Sequence, residues 1–133
     1  MSDDTTDFLA YDRFVVAGAS TNRMKYGNKV LRCYLQNGRD AIGLNPRATE
    51  IEGVKAIASL SDIERPKEVA LSIITPPKIT EQLIAEAIEL GISAIWMQPG
   101  AESPAAIAMA EKANMTTIHS GPCLLVVLGY RES

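Results

Sequence analysis

The stretch Gly18-Ala19-Ser20-Thr21-Asn22-Arg23-Met24-Lys25-Tyr26-Gly27 follows a short apolar run, residues 14–17, and combines small residues with two cations. Small side chains let backbone N–H groups approach an anion at the start of a following helix, where the helix dipole also favours negative charge. Arg23 and Lys25 add positive charge to the same loop, so the chemistry implied is phosphate binding. The dinucleotide fingerprint G-x-G-x-x-G would need glycine at positions 18, 20 and 23, and Ser20 and Arg23 occupy the last two. Pyrophosphate binding of the NAD type is therefore not indicated. The plainer alternative is a tight strand-to-helix turn.

Asn45-Pro46-Arg47 is the second candidate. Folds that bind NAD place Asp or Glu after the second strand to accept the ribose hydroxyls, whereas a phosphorylated ribose is met by a cation. Arg47 suits a phosphate; the alternative is a solvated arginine in a turn. Thr75-Pro76-Pro77 and Met97-Gln98-Pro99-Gly100 offer small or apolar surface with few polar groups, as a ligand cleft does, or are only helix entries.

Catalytic groups are scarce. His119 stands beside Ser120 with no G-x-S-x-G elbow and no third orienting group. The acids Glu50, Glu52, Asp62, Glu64, Glu68, Glu81, Glu86 and Glu89 fall in predicted loops or on polar helix faces, and no metal-ligand spacing is present. Trp96, Met24, Met97 and Met109 read as packing. Cys33 falls on the inner face of the first predicted helix. Cys123 follows the turn 119–122, which would deliver it to a cleft mouth beside His119, whose charge would favour the thiolate; the alternative is a cysteine packed with Leu124 and Leu125.

These residues need elements to position them. Apolar periodicity alternates strand and helix: strands over 14–17, 40–44, 69–74, 92–97 and 115–118, and helices over 28–37, from Pro76 to Gly91, and from Ser103 onward. Thr75 is the expected cap of the second of these helices. Residues 51–59 read as a loop or minor strand, residues 61–64 as one helical turn, and 123–129 as helix or strand. Five strands alternating with helices predict a single-domain α/β fold, a Rossmann-like doubly wound parallel sheet with helices on both faces and a core over about residues 11–125. In such sheets ligands bind beyond the carboxyl ends of the strands.

Composition bounds the rest. One domain of 133 residues can bury a core without staples. The net charge of −3 and pI near 5.1 argue against broad nucleic-acid binding. Two cysteines 90 positions apart form no disulfide framework and fit a reducing compartment. The opening residues 1–7 are acidic and polar, without the pattern of a secretory signal, and no apolar run approaches a membrane span. A cytoplasmic location is expected.

Several short motifs then recur together: Val16-Ala17-Gly18-Ala19-Ser20, Lys25-Tyr26-Gly27-Asn28, Asn45-Pro46-Arg47, Ile51-Glu52-Gly53, Ser59-Leu60-Ser61-Asp62-Ile63 and Trp96-Met97-Gln98-Pro99-Gly100. In this order and spacing they resemble the small stand-alone coenzyme A-binding proteins, whose fold is similar to the nucleotide-binding domain of the succinyl-CoA synthetase alpha subunit. The resemblance implies that Gly18, Ala19, Ser20, Lys25 and Tyr26, with Arg23 beside them, hold the phosphates of coenzyme A. It puts Asn45, Pro46 and Arg47 at the nucleotide end, and Thr75, Pro76, Pro77, Met97 and Gln98 along the cleft. Cys123 matches the cysteine of the family's closing acidic-basic-cysteine signature, with His119-Ser120-Gly121-Pro122 before it. The synthetase's phosphorylated histidine belongs to a second domain, so the implied function is binding of coenzyme A or an acyl form without catalysis. The alternatives are an NADP-binding oxidoreductase module, or a coenzyme A-binding subunit acting in trans with an acyl-CoA synthetase-like partner. A homodimer is also compatible; nucleic acid and membrane partners are not expected.

Overall fold

The computed structural model describes residues 4–132; Met1, Ser2 and Asp3 of the acidic opening stretch, and Ser133, lie outside the described residues. In chain order the first elements are α1 (Asp4–Leu9), β1 (Arg13–Ala17), α2 (Tyr26–Gln36), β2 (Asp40–Leu44), β3 (Glu50–Ile51) and β4 (Val54–Ile57). They are followed by β5 (Val69–Ile73), α3 (Pro77–Leu90), β6 (Ala94–Met97), α4 (Pro104–Lys112) and β7 (Thr116–Ile118). Short 3₁₀ turns at Leu60–Asp62 and Pro66–Glu68 join β4 to β5, and a π-helical turn spans Leu125–Gly129.

β1 shows why the fold is layered. Val15 and Ala17 enter one apolar cluster with Leu83, Ile84 and Ala87 of α3 and with Ala106 and Ala110 of α4. Phe14 and Val16 enter the opposite cluster with Val30, Leu31, Cys33 and Tyr34 of α2. A strand buried on both faces must be apolar throughout, which is how this run reads. The sheet is doubly wound, with the order β3-β4-β2-β1-β5-β6-β7. Every pairing is parallel except the β3–β4 hairpin.

The sheet therefore has seven strands where five were expected. The additions, β3 and β4, lie in the stretch that read as loop or minor strand. Two- and four-residue strands give too short a period to recognise, and β4 is held by pairing with β2, Gly43 to Ala56 and Leu44 to Ile57. Helix α1 is also an addition: Phe8 is fully buried, edge-on to Trp96 at 5.4 Å and 5.7 Å from Phe14. Trp96 packs in the core as expected, but Met24 is 80% exposed on its loop and does not. Thr75 is not the cap of α3. Pro76 holds that position, and the Thr75 hydroxyl pairs with that of Thr80 at 2.8 Å.

From β1 the chain crosses to β2 on one side, and β5 later pairs on the other. Strand order reverses between β1 and β5, so the loops after these two strands part and leave a crevice at the carboxyl edge.

Candidate functional site

That edge carries three cavities that meet at Thr75. One of about 480 Å³ is lined by Gly18, Ala19, Asn45, Pro46, Arg47 and Thr75, with Leu44, Ala58, Ile79 and Leu83 as its apolar wall. A second of about 390 Å³ is lined by Gly18, Ser20, Lys25, Tyr26, Gly27, Ile74, Thr75 and Pro76. A third of about 270 Å³ lies between Ile74, Thr75 and Pro76 and the turn Pro99-Gly100-Ala101. Together they form a groove from the end of β2, past the start of α2, to the end of β6.

The loop after β1 is built for close approach. Gly18 has φ +95°, and a Cβ there would stand 2.8 Å from the Ile74 carbonyl oxygen. At Gly27 a Cβ would stand 2.0 Å from the Gly18 carbonyl oxygen, so any side chain at that position would force the start of α2 and the loop after β1 apart. Lys25 is the N-cap residue, and no side chain caps the helix. Asn28 N already donates to Lys25 O at 3.1 Å. The Tyr26 and Gly27 amides find no acceptor among the described residues and are left for another one, with the helix dipole and Lys25 favouring an anion.

Asn45 joins the two nucleotide-side loops. Its Nδ2 donates to Ala19 O at 2.9 Å, and its Oδ1 accepts from Arg47 N at 2.7 Å. An aspartate could not donate to Ala19, so the position that carries a ribose-binding acid in NAD folds needs an amide here. Arg47 itself is exposed on the cavity wall.

Arg23 differs from its expected role as a free cation. Its Nε lies 3.3 Å from Glu52 Oε2, an acid that sequence reasoning left on a loop. Glu52 has φ +51° and Gly53 φ +81°, the tight turn of the β3–β4 hairpin. Glutamate is unfavourable in that backbone conformation; here its carboxylate is held by Arg23 and by Asn28 Nδ2 at 3.1 Å. Asn28 Nδ2 also donates to Ser20 O at 2.8 Å. Gly27, Asn28 and Glu52 were legible only as parts of the recurring motifs.

The far end of the expected cleft is arranged differently. Met97 is fully buried in the core cluster on the α3 face, so it does not line the groove as expected. Pro77 is the exposed first residue of α3. Gln98 is fully buried; its Oε1 accepts from Leu124 N at 2.9 Å and from Tyr26 Oη at 3.1 Å. The Leu124 amide can only donate, which identifies Oε1 and leaves Nε2 as a buried donor with no partner among the described residues. Tyr26 has one hydroxyl proton and gives it to Gln98, so the Cys123 thiol donates to Tyr26 Oη at 2.7 Å. Burial, and then the bond to Cys123, push the Tyr26 phenol well above its usual range. Cys33 is fully buried, and burial pushes its thiol up to about 11.

Cys123 is partly buried and joins this cluster, but the expected contact with His119 is not formed. The imidazole Nδ1 bonds Ser120 Oγ at 2.6 Å, and Nε2 lies 3.9 Å from Glu111, because the turn directs it toward α4. Among the described residues no group of His, Cys, Asp and Glu could hold a metal ion, and no helix is long and apolar enough to cross a membrane.

The sequence matches the family model described as CoA binding domain over residues 12–129. Among solved structures, a conserved hypothetical protein from Pyrococcus furiosus is 35% identical at a TM-score of 0.82, the match covering 88% of this chain and 99% of that one. A hypothetical protein from Pyrococcus horikoshii OT3 is 25% identical at 0.84, covering 93% and 86%. The dinucleotide-forming acetyl-coenzyme A synthetase 1 of Ca. Korarchaeum cryptofilum, in complex with phosphate and ADP, shares the fold at 23% identity and 0.74; the match takes in 90% of this chain and 27% of that one. No match was found among curated proteins. The family match runs from just before β1 to the end of the π-helical turn and takes in the whole carboxyl edge: the chain belongs to the CoA binding domain family.

Proposed function

We propose that this protein binds coenzyme A, or an acyl form of it, along the carboxyl edge of the sheet and supplies no catalytic group of its own. The observation that carries this reading is the uncapped start of α2, opening on a cavity beside Lys25 and Tyr26 and adjoining the slot that ends at Arg47. The pyrophosphate would take the free amides of α2, with Gly18, Ala19 and Ser20 admitting it. The nucleotide would fill the apolar-walled slot, with Arg47 on the ribose phosphate. The pantetheine arm would run past Thr75 and Pro76 toward Tyr26 and Gln98, where Cys123 is the candidate contact for the coenzyme thiol.

Titration calorimetry with coenzyme A, dephospho-coenzyme A, NAD and NADP tests the reading. Coenzyme A is expected to bind most tightly. Arg47→Ala is expected to weaken it by about 1.5–3 kcal/mol, the range for hydrogen bonds to charged groups, and to leave dephospho-coenzyme A nearly unchanged. Equal affinity for NAD and coenzyme A would overturn the proposal, and preference for NADP would favour an oxidoreductase module.

A second reading has support from the fold shared with one part of a much longer acetyl-coenzyme A synthetase. In it the chain serves as the coenzyme A-binding subunit of a synthetase-like assembly, and co-purification of a larger subunit would favour it.

A further inference from the structure

Arg32 lies in the middle of α2 and is 5% exposed. Among the described residues no carboxylate lies within ion-pair distance of it. A buried guanidinium needs hydrogen bonds on its donors, and Arg32 finds them in the phosphate loop. Its Nε donates to Asn28 Oδ1 at 2.7 Å and its Nη2 to Arg23 O at 2.8 Å. Through Asn28, which donates to Ser20 O, Arg32 therefore secures both ends of the segment from Ser20 to Arg23.

The other contact of Arg32 comes from a distant part of the chain. Its guanidinium lies over the Tyr130 ring, 5.4 Å from the centroid. Tyr130 is extended, and residues 129–132 run along one face of α2. Asn37 Nδ2 donates to Gly129 O at 3.1 Å. Gln36 takes both backbone groups of Arg131, accepting its N–H at 2.9 Å and donating to its carbonyl at 2.6 Å, much as a neighbouring strand would. Lys29 Nζ lies 3.9 Å from Glu132. Lys29, Arg32 and Gln36 share a face of α2 by helical spacing, and Asn37 follows as its C-cap. The same face thus holds the extended segment and, through Arg32, the loop.

We infer that residues 129–132 act as a strap whose docking on α2 sets the phosphate loop through Arg32, so that ligand binding and strap docking are coupled. Arg32 and Tyr130 are positioning residues in this scheme, since neither lines the cavities. The inference rests on the reading of the loop as the phosphate site. Coupling of this kind is reciprocal: whatever factor the docked strap adds to ligand affinity, the ligand adds to strap docking.

The test uses the full chain, with coenzyme A as the probe. A Gln36→Ala, Tyr130→Ala double variant removes the strap's hold, and its dissociation constant for coenzyme A is expected to rise at least about fivefold, the lower end of typical coupling. Tyr130→Phe keeps the ring over Arg32 and is expected to bind like the parent. In the parent, coenzyme A is expected to slow amide exchange at Arg131, although that amide lies outside the groove. Unchanged affinity in the double variant, or unchanged exchange at Arg131, overturns the inference. Should the double variant unfold, the parent's exchange and the single Tyr130→Ala variant decide. If the intact chain binds no coenzyme A, the proposed function fails. The strap is then judged by amide exchange over residues 20–25, which must speed up in the double variant without any ligand.

Discussion

Helices α2 and α4 both begin just past the carboxyl end of a parallel strand, yet their entries are opposites. At α4, Ser103 Oγ accepts from Ala106 N at 3.0 Å and donates to Glu81 Oε2 at 2.7 Å, and Glu102 Oε1 accepts from Gly100 N at 3.2 Å. The first turn is capped, and two carboxylates stand at its door. At α2 no side chain caps the helix, and the entry carries Lys25, with Arg23 beside it paired to Glu52. The chain has capping available, since the 3₁₀ turn at Leu60–Asp62 even has a full capping box from Ser59 and Asp62. The start of α3 has no side-chain cap either, but its first helical residue, Pro77, has no amide to offer. The open start of α2, with Lys25 beside it, is where an outside anion can be received. Both helices sit at a strand end, so it is occupancy of the amides and the sign of nearby charge that separate a site from a junction.

The largest effect should come from closing the open entry sterically. Gly27→Ala puts a methyl group against the Gly18 carbonyl, and overpacking of this kind costs about 1–3 kcal/mol. Calorimetry is expected to find coenzyme A binding lost, while circular dichroism still reports a folded α/β chain. Parent-like affinity in this variant would remove the start of α2 from the phosphate site.

Lys25→Asp closes the same entry chemically. An aspartate cap stabilises a helix start by about 0.5–2 kcal/mol, so thermal unfolding should shift upward. The same carboxylate would occupy the amides and repel the ligand, so affinity for coenzyme A should fall about tenfold or more, roughly 1.4 kcal/mol. Stability and affinity moving in the same direction would break the contrast between the two helices.

Ser103→Ala opens the closed entry and should have the smallest consequence. Stability is expected to drop by about 0.5–2 kcal/mol through the lost cap, with affinity for coenzyme A unchanged. A loss of affinity comparable to that of Lys25→Asp would mean that α4 also takes part in binding.

Much of this architecture is legible in the residues. Apolar runs such as Phe14–Ala17 and Val69–Ile74 announce buried parallel strands, and Gly91 marks the end of α3, where it takes φ +85°. These signals are local, because burial on both faces and left-handed backbone each select residue types directly. Helix α1 and the β3–β4 hairpin are not legible in this way. Phe8 has a helical environment only because Trp96 and Phe14 are there to receive it.

The candidate site divides along the same line. Residue type and order suffice to nominate Gly18, Lys25, Asn45 and Arg47, since a glycine turn, a cation and a missing acid each have a chemical meaning where they stand. That Arg23 is engaged by Glu52, that Met97 lies in the core, and that Cys123 answers to Tyr26 rather than His119 depend on which strands and loops become neighbours. Sequence by itself determined the α/β alternation and the loops in which a phosphate could be met, because those follow from periodicity and side-chain chemistry. Tertiary structure alone decided the strand order, the shared corner of the cavities at Thr75 and the reach of Arg32 from Tyr130 to the loop. Those contacts join residues up to about a hundred positions apart, and a local pattern carries no record of a partner that only folding brings near.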